Sequence, residues 1–575
     1  MRRSRLLALT TAAALTLGFA PVPLDQATGP LADVPVVGVE VPLLSSGVEL
    51  LMNVPAALAI SATFDPNREY LYQSTLRGID VYDVSVPERP RLVGSEVMSF
   101  FQNEAVSMGV ANSREDGTTF VTVGLDLYGA GIMESGPDAQ VSGSHVYIVD
   151  VTDPTNPTLR SEGSASTSTH TITCVDEACE YAYTAGNDRE FSILDLTDLD
   201  DPKELKTVES AFGGHDWDQD GAGVMWQVGW NGAAAWDVTD PTNPTLLNTT
   251  DEFGTHPDWN NFILHNTIRP NATIFGDENT KDSTRPDHAG VPGRPDHAGS
   301  GRPDHAGSTV PSVDPDRELP EFHVDRGNVL LATEEDYIDP TCEDEGNFET
   351  WGVDTLDPDE VAAATGSLGK VDGGTITPLG QWNTELFDTG IDTPAGAFCS
   401  AHYFDYHQSG IVAQGFYQQG LRLLDVDDPT DIRQVGYWVP QASEVWSAYW
   451  VPERDEDGHV VRTATGDIAK TDIVYTSDLV RGIDVLRVTG TDEPTEQREM
   501  VTAPVFEHWL QPDVTNAARA QGSAFGFACP LPSLAGSQDP PVDLPAPTDL
   551  GALNRVGEAS RDALNGIGGA IDGTG

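Results

Sequence analysis

Short runs of β-forming residues, each ending in aspartate and followed by a proline-bearing turn, recur along this chain. The clearest is HVYIVDVTDPTNPTLRSEG at 145–163, with close copies at 190–210 (EFSILDLTDLDDPKELKTVES), 232–250 (GAAAWDVTDPTNPTLLNTT) and 420–438 (GLRLLDVDDPTDIRQVGYW). Weaker copies lie at 78–97 and 482–494. Val, Ile and Tyr at this density suit a pleated backbone, and Val146 to Val151 lacks strict polar alternation, so both faces of that strand are expected to be buried. In the turn, Asp153 can bond the backbone ahead of it, while Pro154 and Pro157 sit where no ladder donor is needed. The pattern predicts an antiparallel hairpin. A lone hairpin cannot cover two apolar faces, but stacked copies can.

Repeats of about 40–45 residues with four strands each are the period of a β-propeller. Taking the aspartate that ends the third strand as the marker, Asp83, Asp150, Asp195, Asp237 and Asp425 count five blades. NFETWGVD (347–354) and TITPLGQW (375–382) read as the outer half of a sixth, and Arg487 holds the marker position in a seventh. The expected blades are 55–97, 103–163, 169–210, 214–250, 263–383, 400–438 and 444–488. The last lacks an outer strand. DVPVVGVEVP (33–42) resembles the outer strand RLVGSEV of the first blade and is expected to close the ring, which removes both sheet edges.

The repeats, IVDVTDPTNP above all, resemble the LVIVD-repeat family over roughly 33–490. That resemblance implies a secreted or surface β-propeller, and implies architecture more than chemistry. The expected fold is therefore all-β: a seven-bladed β-propeller closed by an N-terminal strand, with a disordered C-terminal tail.

Composition adds an address. MRRSRLLALTTAAALTLGFA has a basic start and an apolar stretch and reads as a secretory signal peptide within 1–27. No other stretch is long enough to span a membrane. The expected domains are this signal, a propeller over 28–495 with a disordered insertion at 276–327, and a mostly disordered extension at 496–575. The insertion holds RPDHAG three times, with Pro, Gly and Asp too dense for a packed core. With 31 basic against 91 acidic residues the net charge is −60, a surface that repels nucleic acid and anionic lipid. Five cysteines in an exported chain suggest disulfides plus one thiol left over. Cys174–Cys179 would close a hairpin tip, Cys342–Cys399 would join neighbouring blades, and Cys529 is the odd one.

Candidate chemistry comes from aligning the starts of the innermost strands. TSTHTI, GGHDW, ILHNT and SAHYF place His170, His215, His265 and His402 at equivalent positions in blades three to six. Glu104 is the equivalent in blade two and Trp446 in blade seven. The second strand of blade five ends LLATEEDY, which brings Glu334, Glu335 and Asp336 to the same face. Four imidazoles with Glu104 and Glu335 nearby can hold a divalent transition metal, Fe, Cu, Zn or Mn. Repeats also duplicate structural residues, and Gly214-His215 looks like the Gly-His pair of WD-repeat propellers, whose ring bonds a neighbouring turn. Carotenoid-cleaving oxygenases and selenium-binding-type oxidases are propellers with metal chemistry in this place, but none of their motifs occurs here.

Two functions are thus open. One is a secreted or cell-surface scaffold that binds a protein or small-molecule ligand. The other is a metal-dependent enzyme, an oxidoreductase, with its site at the His-lined channel mouth. Tryptophans 217, 226, 230, 236 and 259, in or near blade four, fit packing between blades better than a sugar- or peptide-binding surface. No phosphate loop, nucleophile elbow or HExxH motif is present.

Overall fold

The computed structural model describes residues 43–490 apart from 46, 57–58, 76, 99–102, 126–144, 187–188, 211, 230–231, 251–262, 277–320, 336–345, 366–373, 385–399 and 441–442. Among the described residues the strands form seven antiparallel sheets, each built largely of strands consecutive in the chain. The blades run over 59–97, 107–164, 171–209, 214–249, 263–382, 404–439 and 445–488, close to the spans expected from the repeats.

Seven apolar clusters hold the ring, one at each junction between neighbouring blades. Tyr72 and Val81 of blade one meet Val121 and Val149 of blade two, and Phe120 and Ile148 meet Ile172 and Leu194 of blade three. The series continues through blades three–four, four–five, five–six and six–seven. Val451 and Ile473 of blade seven complete it against Leu71 and Tyr82 of blade one. The third strands contribute to both of their faces, which is why they read as continuous apolar runs. Trp217, Trp226 and Trp236 are buried in two of these junctions, as packing predicts; tryptophans 230 and 259 lie outside the described residues.

Ring closure is observed, with a different segment. Val48–Val54 pairs antiparallel with Gly482–Val488 as the outer strand of blade seven. It shifts register between Leu50 and Met52, as the outer strand of every other blade does against its third strand. That shared bulge identifies it as the missing outer strand. Leu43–Leu44, just before it, adds a fifth strand to blade six against Trp438 and Val439. The stretch 33–42, expected to close the ring, lies outside the described residues. Its likeness to RLVGSEV misled because outer strands are half exposed and only weakly constrained in sequence.

The repeat motif explains itself in the turns. Asp150 Oδ1 accepts the Thr152 N–H at 2.9 Å, and Asp153 Oδ1 accepts the Thr155 N–H at 3.0 Å and its hydroxyl at 2.7 Å. The same bonds recur from Asp195, Asp237, Asp240 and Asp428. The proline turn so formed seats on the outer strand of the preceding blade, where a glycine makes room. A Cβ on Gly94 would stand 2.3 Å from the Pro154 carbonyl oxygen, and Gly163 and Gly380 receive Pro202 and Pro429 in the same way.

Three further expectations meet the structure. The Cys174–Cys179 bridge is formed, with Cα atoms 4.9 Å apart; Cys342, Cys399 and Cys529 lie outside the described residues. The insertion expected to be disordered over 276–327 is ordered at its end: 321–327 carries a 3-10 turn at Val324–Arg326, with His323, Val324 and Asp325 buried, because Val324 has joined the blade five–six core. The residues 277–320, with the RPDHAG copies, and the tail from 491 on lie outside the described residues, as do residues 1–27, expected to be a signal peptide, and residues 126–144 of blade two. Asn248 and Asn271 match a glycosylation pattern, but both are buried and spend their amides on Thr355, Thr375 and Val324.

Gly94→Ala should therefore destabilise the protein by about 1–3 kcal/mol through overpacking at a backbone contact. Denaturant unfolding measures this, and a variant as stable as the parent would mean that the turn of blade two is not seated on blade one.

Candidate functional site

The inner strands place the histidines, and their irregularities aim them. In blades four, five and seven the inner strand slips register against its neighbour at Gly214/Asp216, Leu264/Thr267 and Val445/Ser447. His215, His265 and Trp446 occupy those bulges. A bulge frees backbone groups from the ladder and re-aims side chains, and here the freed carbonyls hold rings of the preceding blade. His215 Nδ1 donates to the His265 carbonyl at 3.1 Å. His402 Nδ1 donates to the Trp446 carbonyl at 2.7 Å. The His215 carbonyl in turn accepts the Thr171 hydroxyl at 2.8 Å.

With Nδ1 anchored outward, Nε2 points to the axis. The four Nε2 atoms surround Glu104 Oε2, at 3.2 Å from His170, 3.7 Å from His215, 3.3 Å from His265 and 3.7 Å from His402. His170 Nε2 and His215 Nε2 are 3.0 Å apart, and neighbouring rings stand 3.9–4.6 Å apart by centroid. Glu335 reaches in from the second strand of blade five, with one oxygen 3.9 Å from His265 Nε2 and the other 3.8 Å from His402 Nε2. Every one of these side chains is buried. Donor atoms of Glu104, His215 and His265 all lie within 4.8 Å of one another, and so do those of His265, Glu335 and His402. Both groups are geometrically compatible with a metal ion. All six residues singled out from the sequence thus meet at one place.

The protonation states follow from the hydrogen bonds. A neutral imidazole that donates from Nδ1 has its lone pair on Nε2, so His215 and His402 turn lone pairs to the axis. His402 Nε2 is buried and has no hydrogen-bond partner. Since His215 Nε2 is an acceptor, the short contact to it makes His170 Nε2 the donor. Burial, then the neighbouring His265, holds His402 well below the usual histidine range, and burial with His265 and His170 does the same to His215. His265 is lowered too, chiefly by burial. Burial alone would raise Glu104, but attraction to His170, with hydrogen bonds from His170 and His265, holds it well below the usual carboxylate range. The result is a buried site in which His170 and His265 hydrogen-bond a carboxylate anion while burial disfavours a second proton on His215 and His402. A cation among the inward lone pairs would be attracted to this buried carboxylate, which His170 and His265 already hydrogen-bond.

Other parts of the mouth were not singled out in the sequence. The Tyr417 hydroxyl donates to Glu335. Tyr403 lies edge-on against His265, at 4.5 Å by centroid, and its hydroxyl donates to Asp216 at 3.0 Å. Tyr417 sits between the second and third strands of blade six, on the face where second strands end; that topology is the signal that could have found it. Glu334, expected beside Glu335, turns instead to the Gly346 N–H and the Asn347 amide, because successive strand residues face opposite ways. Asp336 lies outside the described residues. His407 is structural: it bonds Ser409 and packs its ring, tilted, against Trp450.

The far end of the channel is stoppered. Residues 453–469 join the first two strands of blade seven and cross the opposite face. Arg454 donates to the Asp65 carbonyl of blade one, Asp467 accepts the Asn271 N–H of blade five, and Arg462 pairs with Glu177 of blade three. Blades seven and three lie across the ring from one another, so this segment crosses the face opposite the histidines.

A third group, His323, Asp325 and Asp427, also meets the spacing for a metal. Its chemistry is poorer. His323 Nδ1 already accepts the Asp325 N–H at 3.0 Å, so the neutral ring carries its proton on Nε2, facing Asp427 Oδ1 at 3.4 Å.

No protein-family model matches the chain, and no curated protein matches it. The LVIVD-repeat resemblance therefore rests on the repeat residues alone. Among solved structures, the chain is similar to the β-propeller domain of Cps50 (Swd1) from Myceliophteria thermophila. That likeness has 10% identity and a TM-score of 0.42, over 77% of this chain and 99% of the other. No helix among the described residues is long and apolar enough to cross a membrane.

The tautomers are directly testable. Nitrogen NMR of histidine-labelled, metal-free protein should show His215 and His402 protonated at Nδ1 and bare at Nε2, with no second proton taken up until well below the ordinary pKa of about 6.5. Because their folded-state pKa values are lowered, the stability these residues contribute is complete above that pH and is lost as the pH falls below it. An Nε2–H on His402 at neutral pH would contradict the assignment.

Proposed function

We propose that this chain is an exported, metal-dependent oxidoreductase. Its centre is formed by His170, His215, His265 and His402 with Glu104, and Glu335 stands ready as a further ligand. One observation carries the reading: four Nε2 atoms from four blades surround a single carboxylate oxygen, and two of them have lone pairs fixed inward by backbone carbonyls. Hydrogen-bonding residues that serve only the fold need no shared focus. The repeat residues and the N-terminal MRRSRLLALTTAAALTLGFA support export and kinship with LVIVD-repeat proteins.

The donor set narrows the metal. Imidazole suits Fe, Cu, Zn and Mn, but zinc sites use four ligands as a rule, or three and a water. Four nitrogens and up to two carboxylates favour an ion of higher coordination number, Fe or Mn. Such an ion would supply one-electron chemistry. The chain's own contributions are distinct: the bulge carbonyls orient His215 and His402, Glu104 supplies negative charge, and the segment 453–469 closes the far mouth. Burial of the whole set restricts direct approach to small reactants such as dioxygen or a peroxide.

A second reading keeps one observation in its favour. The direct bond between His170 and His215 lets the cluster satisfy part of itself as a polar network in a binding scaffold for a protein or small molecule. Elemental analysis of protein purified without a His tag separates the two. The proposal expects about one Fe or Mn per chain, and His402→Ala should weaken retention by more than the roughly 10–100-fold that outer-sphere partners are worth. Wild-type protein from metal-replete medium that carries no transition metal would leave the scaffold.

A further inference from the structure

Tyr417 is built at a cost that its fold does not require. Its φ is +40°, in the left-handed region where a bulky side chain is strained. Of the other two non-glycine residues with positive φ among the described residues, Cys179 belongs to the disulfide and Asn271 is a residue type that tolerates it. The glycine that opens the third strand at positive φ in blades one, four and seven, Gly78, Gly232 and Gly482, has its counterpart in Gly420 of blade six, so the left-handed Tyr417 is additional to the glycine that the repeat itself uses. Strain of this kind persists only where the surroundings impose it, and it marks sites of function. The surroundings here are specific. Tyr417 exchanges two backbone hydrogen bonds with Val445 of blade seven, at 3.0 and 2.9 Å, which fix the turn. Its ring is fully buried and lies 4.9 Å from His402 and 5.6 Å from Trp446 by centroid. Its hydroxyl ends on Glu335 Oε1.

We infer that Tyr417 is the positioning residue of the centre, which holds the Glu335 carboxylate in the plane that presents one oxygen to His265 and the other to His402. The inference rests on the metal reading above. Glu335 arrives from the end of a strand, with two side-chain torsions and a rotating carboxylate to fix. A hydrogen bond from a rigid phenol, itself clamped between His402, Trp446 and the Val445 backbone, removes that freedom. Outer partners of this sort set ligand orientation and metal affinity. Phenylalanine would fill the same volume and leave the turn as strained as before, but would release the carboxylate.

The test uses Co(II) as probe in the full chain, with three readouts: the dissociation constant, the ligand-field absorption bands, and the thermal midpoint of the metal-free protein. Tyr417→Phe should weaken cobalt binding about 10–100-fold and shift the bands, with the metal-free midpoint near that of wild type. Glu335→Gln provides the second arm. If Tyr417 acts through Glu335, adding Tyr417→Phe to Glu335→Gln changes neither affinity nor bands further. A Tyr417→Phe protein with wild-type affinity and spectrum overturns the inference while the metal centre stands. So does a purely structural variant, one that loses thermal stability and keeps the bands, and so do effects that add fully in the double variant. Wild-type protein that takes up no cobalt overturns both readings, and that result is distinct from the others.

Discussion

The carbonyl of one inner strand accepting an Nδ1–H from the preceding blade is the interaction on which the channel mouth depends. His215 to the His265 carbonyl and His402 to the Trp446 carbonyl settle which nitrogen carries the proton, which way the ring lies, and where the remaining lone pair points. Those carbonyls are free because the inner strands bulge at His215, His265 and Trp446. The bulges in turn are held by a closed ring, whose seven junctions are each filled by an apolar cluster. A local defect in strand pairing thus becomes, by repetition around an axis, a convergent set of donors.

A structural and a ligating role are not exclusive for the repeated histidines. An imidazole has two nitrogens, and in His215 and His402 each does a different task. Nδ1 makes the hydrogen bond that a structural repeat residue would make. Nε2 turns its lone pair to the axis, where that of His215 accepts from His170 and that of His402 makes no hydrogen bond. The inward lone pairs of His215 and His402 separate this cluster from the His323, Asp325 and Asp427 group, whose one histidine turns a protonated Nε2 to Asp427.

The architecture was legible because its signals are local and repeated. Asp150, Asp153 and Pro154 make the same turn in copy after copy, and the blade count and strand order follow from it. The equivalence of His170, His215, His265 and His402 was legible for the same reason, since residues at one repeat position share one height in a ring. What was not legible depends on contacts made once. Val48–Val54 closes the ring through a pairing with residues more than four hundred positions away, and nothing in its own composition outranks 33–42 for that role. Tyr417 reaches Glu335 from a turn whose backbone angle no pattern of types predicts. The stopper at 453–469 is recognised only by contacts made once, with partners in blades one, three and five. Glu334 and Glu335 could not be told apart from spacing alone, because adjacent residues of a strand face opposite ways and the register decides which faces the axis.

The central claim is that the four inward nitrogens share one ion. Anomalous diffraction from crystals of untagged protein, collected on both sides of the iron and manganese absorption edges, tests it most directly. The account predicts a single peak on the propeller axis, about 2.0–2.2 Å from at least three of the four Nε2 atoms, with His170 and His215 no longer hydrogen-bonded to each other. An electron-density map with no anomalous peak among these residues, and with the His170–His215 contact of 3.0 Å intact, would contradict it.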